Sequence, residues 1–151
     1  HILRIKQAKD WKTGQMAWKL AKSPANFDSA AGIDYTVDVT RPYGERVNIL
    51  SMADGRAFDM DKMYTVGITS YRASGAGGLL KAAGLLSAED VEARTLFKGP
   101  EFRTILYEYF LKNGSIDPEV TGKKELVGRW KFVPEGVSEG IVKDVELLYG
   151  K

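Results

Sequence analysis

Residues 64–78, reading YTVGITSYRASGAGG, constrain this chain more than any other stretch. Over 64–71 the residues alternate, with Tyr64, Val66, Ile68 and Ser70 on one side and Thr65, Gly67, Thr69 and Tyr71 on the other. Period-two alternation of β-branched and aromatic residues predicts a strand. Gly75, Gly77 and Gly78 then place three glycines in four residues, which admits left-handed backbone and leaves N–H groups unshielded by side chains. If Val66 and Ile68 face the core, strict alternation turns Tyr71 outward at the lip of the glycine loop. A ring so placed serves either as a ligand platform or as a lid on the next element.

The rest of the chain is read in order. Residues 2–6 alternate as an edge strand would, and residues 16–20 suit strand or helix. Pro24 breaks any helix before it. Phe27 then stands alone among small and polar residues, either tucked down as a local anchor or held out as an exposed ring. Residues 33–39 form the cleanest strand pattern, with apolar odd positions and polar even ones. A turn over 41–45 leads into a second strand over 46–50, and Asp54-Gly55 is a hairpin-type dipeptide. Short connections from 33 to 71 predict an antiparallel meander.

Beyond the glycine loop, Ser87 and Asp90 have capping-box spacing, with Asp in place of the preferred Glu or Gln. Residues 95–97 read as a return to strand. Pro100 and Asn113-Gly114 bracket a helix over 101–112. Phe102, Ile105, Leu106, Tyr109 and Phe110 share one face of it, the pattern of a core face. Residues 127–132 predict a last strand closed by Pro134, and Ile141, Val145 and Leu148 permit a helix over 137–151. The expected fold is α/β of the α+β type, a mixed and largely antiparallel sheet with packed helices, built as a single domain over residues 1–151.

Composition removes several functions. Net charge is +2, from 22 basic and 20 acidic residues mixed along the chain, so no basic face points to a nucleic-acid polymer as partner. No apolar run approaches the ~20 residues of a membrane-spanning helix. The chain has no cysteine, which excludes disulfides and thiol chemistry and is compatible with an oxidising space. Its single histidine, His1, permits no multi-histidine metal site and no histidine-based triad. The pairs Asp59/Asp61 and Glu89/Asp90 read as solvated or capping carboxylates. The glycine loop also fails the phosphate-cradle tests. No lysine followed by serine or threonine comes after Gly77 or Gly78, and a dinucleotide fingerprint begun at Gly75 meets Leu80 where glycine is required. What is left is a backbone-donor loop beside an aromatic ring, suited to holding a planar, polar ligand.

Residues 26–37 (NFDSAAGIDYTV), the turn 42–47 (PYGERV) and residues 62–77 (KMYTVGITSYRASGAG) together resemble the C-terminal domain of bacterial 5′-nucleotidases. That family includes 2′,3′-cyclic-nucleotide phosphodiesterases and animal ecto-5′-nucleotidase. The S-Y-R-x-x-G-x-G form is similar to the Bacteroidetes-type branch, where it replaces the more usual N-F-x-x-x-G-G-D-G. The resemblance implies that Phe27 and Tyr71 stack a nucleobase between them. The aspartate that holds the ribose in this family falls at Gly77, so Arg72, Ser74 and the backbone of Gly75 and Gly77 are the remaining candidates on that loop. It implies a nucleotide or nucleoside as ligand and no catalytic residue or cofactor in this chain. Two divalent metal ions are expected in a separate N-terminal metallophosphatase domain, the partner of this one. A start at His1 then reads as a substrate-binding domain cut from a longer two-domain enzyme, periplasmic, extracellular or at the cell surface. A protein-interaction or structural domain, and a specificity domain for a non-nucleotide phosphoester, stay open beside that reading.

Overall fold

The computed structural model describes residues 5–21, 26–82, 84, 87–117, 119 and 129–150. In chain order the elements are β1 (Ile5–Lys9), β2 (Met16–Leu20), β3 (Ile33–Asp38), β4 (Val47–Met52), α1 (Ser70–Ala73), a 3-10 turn (Ala76–Gly78), α2 (Leu79–Ala82), α3 (Ala88–Arg94), α4 (Phe102–Asn113), β5 (Arg129–Val133) and α5 (Val137–Tyr149). They fall into two compact units. The first joins His1–Met60 to Gly122–Lys151, and the second is Asp61–Thr121.

In the first unit β1 and β2 form an antiparallel hairpin with Ile5 opposite Leu20 and Lys9 opposite Met16, so residues 16–20 are strand. Asp10 closes its turn, where the Oδ1 atom accepts the N–H groups of Lys12 at 2.9 Å and Thr13 at 3.0 Å. Lys19 Nζ lies 3.2 Å from Oδ2 of the same carboxylate. Ile5 and Lys6 of the predicted strand are strand, and its residues 2–4 lie outside the described residues. So do Ser23, Pro24 and Ala25 of the predicted break.

The second sheet of this unit has the order β4–β3–β5, with β4 antiparallel and β5 parallel to β3. Its alternating pattern puts Tyr35 in the core, opposite Ile49 on one side and Trp130 on the other. A bulge follows Asp34, which pairs with Ser51 while Tyr35 pairs with Ile49. The extra residue, Leu50, is exposed. Arg129 fastens β5 across the sheet, by an ion pair with Asp34 and a 2.7 Å bond from Nη1 to the Ala53 carbonyl. Helix α5 packs against β2 and β5. Val137, Ile141, Asp144 and Leu148 make its inward face, with Val137 and Asp144 buried. Val145 is exposed, because the spacing from Val137 carries the inward stripe through position 144.

The second unit is helical among its described residues, and here the expectations need correction. The strand predicted over 64–71 does not form. Residues 64–69 belong to no ladder, Ser70 begins α1, and Thr69 caps that helix by accepting the Arg72 N–H at 3.3 Å. Alternation favours an extended chain, but a strand also needs a partner edge. Residues 64–69 pair with no strand among the described residues, and Val66 and Ile68 stay exposed. The meander therefore ends after two strands. Residues 95–97 are likewise not strand, and Leu96 and Phe97 are exposed.

Helix α4 lies where the apolar period and its bracketing residues place it, ending at Gly114 with φ 74°. Its apolar stripe is not a core face, since none of its residues is buried. The period decides which residues share a face and not whether anything covers that face. At α3 the capping box forms with Asp at its third position. Ser87 Oγ accepts the Asp90 N–H at 3.1 Å, and Asp90 Oδ2 accepts the Ser87 N–H at 3.2 Å.

Candidate functional site

Phe27 sits on the loop that runs into β3, and Gly32 turns that loop with φ 91°. A hydrogen bond ties the loop to the core, where the buried Tyr35 accepts the Ala30 N–H on its hydroxyl at 3.2 Å. The Phe27 ring leans on Trp130, with centroids 5.8 Å apart and planes at 45°. Trp130 in turn stacks on Tyr35 at 5.9 Å and 12°, and meets the Phe132 ring edge-on at 5.0 Å and 87°. These are the offset and T-shaped arrangements that the ring quadrupole favours. The parallel register produces them, because it sets Trp130 beside Tyr35 and Phe132 beside Val37. Phe27 is thus anchored and displayed at once, with 62% of its surface still exposed.

Tyr71 belongs to the second unit and lies on α1, not on a strand face. Tyr71 is 59% exposed as a residue. The Arg72 guanidinium carbon lies 5.3 Å from the ring centroid, within cation–π range. Arg72 is buried, and its Nη1 donates to the Ala76 carbonyl at 3.2 Å. Ser74 Oγ donates to the Tyr71 carbonyl at 2.8 Å. Gly75, Gly77 and Gly78 take φ values of 88°, 77° and 76°, so the glycines are there for left-handed backbone. The loop turns part of its donor supply on itself. The Gly75 N–H bonds the Arg72 carbonyl at 3.0 Å, and the Gly78 N–H bonds the Gly75 carbonyl at 3.1 Å. Arg72 and Ser74 direct these hydrogen bonds at carbonyls of their own loop and so hold its shape.

The perturbed carboxylates of the first unit are turn residues. Asp38 is held below the ordinary value first by the Thr40 hydroxyl and then by the Thr40 N–H, and Asp54 first by the Arg56 guanidinium. Such shifts stabilise turns and do not mark an acid–base pair. Among the described residues no group of three or more His, Cys, Asp or Glu could hold a metal ion, so these residues offer no donor set for one. No helix among them is long and apolar enough to cross a membrane.

Two parts of this arrangement escape sequence reasoning. Tyr35 is legible only as an inward strand residue, and Trp130 only as a member of a last strand. Nothing in the intervening residues signals that β5 returns parallel to β3 and brings the indole under Phe27.

A family described as 5′-nucleotidase, C-terminal domain, matches residues 3–84, more than half of the chain. The matched segment includes Phe27, Tyr35, Tyr71 and the glycine loop, and it ends before β5. No curated protein and no solved structure matches the chain.

Proposed function

The chain belongs to the 5′-nucleotidase C-terminal domain family, and from that membership we propose that it is the nucleotide- or nucleoside-recognition domain of a 5′-nucleotidase-type metallophosphoesterase. Phe27 in the first unit and Tyr71 in the second are the candidate stacking rings, each taken on its own unit. One observation carries this reading. Both residues are more than half exposed, yet each leans on a neighbour that steadies it, Trp130 for Phe27 and Arg72 for Tyr71. Exposed aromatic rings held in place lose little entropy on stacking a base. Each such stack contributes roughly 1–3 kcal/mol. The glycine loop adds backbone polar groups beside Tyr71. Because position 77 is glycine and has no side chain to offer, holding the ribose falls to the exposed Ser74 hydroxyl and the loop backbone, while the buried Arg72 supports Tyr71.

Recognition is the whole of this chain's part. The two divalent ions that activate water belong to an N-terminal metallophosphatase domain of the same protein, a single recognition domain following it in a periplasmic or extracellular enzyme. Isotope-labelled protein titrated with adenosine tests the reading by NMR. Shifts confined to Phe27, Tyr71 and residues 75–78 are expected, and Phe27→Leu and Tyr71→Leu should each weaken binding roughly 5- to 150-fold. Saturating adenosine with no response overturns it. A protein-interaction module is the second reading, favoured by the exposure of Phe102, Tyr107 and Leu111 on α4.

A further inference from the structure

We propose that Trp130 is a positioning residue for nucleobase recognition, fixing the plane in which Phe27 is offered to the base; this rests on the stacking role given to Phe27 above. Trp130 lies outside the segment that matches the family, so the assignment comes from this chain's own geometry.

A phenylalanine on a loop has two free torsions, and one 62% exposed has few neighbours to restrict them. Phe27 is restrained by the indole of Trp130 at 5.8 Å and 45°. That indole is itself held from several directions. It stacks on the buried Tyr35, receives Phe132 edge-on, and rides on a strand whose ladder with β3 locks Trp130 beside Tyr35. The backbone of the Phe27 loop is referred to the same Tyr35 through the Ala30 N–H. Ring and loop therefore share one rigid reference. A tilted contact also covers part of the Phe27 ring while most of its surface stays open. Immobilising a side chain before the ligand arrives removes that cost from binding.

The experiment compares wild-type protein with Trp130→Leu and Trp130→Phe, each checked for folding by thermal melting. It reads the Phe27 ring signals without ligand and the affinity for adenosine. In wild-type protein, cross-relaxation between the Phe27 ring and the Trp130 indole is expected. Trp130→Leu should move the Phe27 ring signals toward those of a mobile side chain and weaken adenosine roughly 2- to 10-fold. The Tyr71 response should persist, and Trp130→Phe should restore most of both effects. A merely structural tryptophan would not give this pattern of ring signals and aromatic rescue. Absence of wild-type cross-relaxation, unchanged ring signals in a folded Trp130→Leu protein, or equal losses in both variants overturns the proposal. Failure of adenosine to bind wild-type protein overturns the recognition reading instead, and the ring signals then still decide whether Trp130 orients Phe27.

Discussion

The hydroxyl of Tyr35, in the middle of β3, accepts the backbone N–H of Ala30 at 3.2 Å. Five residues apart in sequence, the two tie an exposed loop to one of the few buried apolar side chains among the described residues. The same Tyr35 ring carries the Trp130 stack, so one residue supports both the backbone and the side chain of Phe27.

Tyr35→Phe removes that hydrogen bond and keeps the ring. Because one partly buried donor loses its acceptor, stability should fall by about 0.5–1.5 kcal/mol. Urea titration checks this, with a lower midpoint and an unchanged slope as the expected outcome. Hydrogen exchange at the Ala30 amide should accelerate more than that of the β3 amides. Equal acceleration throughout would assign the loss to the sheet and not to the loop.

Acid stability of the β1–β2 hairpin should depend on Asp10. The Thr13 N–H above all, then Lys19 and the Lys12 N–H, hold its carboxyl at about 2 against an ordinary 3.8. A carboxyl depressed on folding contributes stability above its unfolded value and loses that contribution as pH falls through the folded one. Asp10→Asn should therefore melt below wild type at neutral pH. The gap should narrow between pH 3.8 and about 2, a trend that melting temperatures across this range will read.

Two glycines in the second unit should behave oppositely. At Gly75 φ is +88° and no heavy atom lies within 4 Å of an added Cβ, so alanine there carries a backbone penalty alone. That penalty is about 1–2 kcal/mol. At Gly67 the space is equally open and φ lies outside the left-handed region, so Gly67→Ala should stay within about 0.5 kcal/mol of wild type. Denaturant midpoints check this, with Gly75→Ala lowered and Gly67→Ala near wild type as the expected outcome.

Much that is local in this protein was settled by residue order alone. The alternation over β3, the bracketed helix α4, the capping pair Ser87 and Asp90, and the glycines that bend the loop after Tyr71 all act through neighbours a few positions away. Their physics is complete within a turn or a strand. Tertiary structure decided whatever needed a partner far along the chain. It gave the second edge of β3 to a parallel β5, left residues 64–69 without a ladder, exposed the apolar stripe of α4, and set Trp130 beneath Phe27. A period states which side chains point the same way; only the closing of distant segments states what they meet.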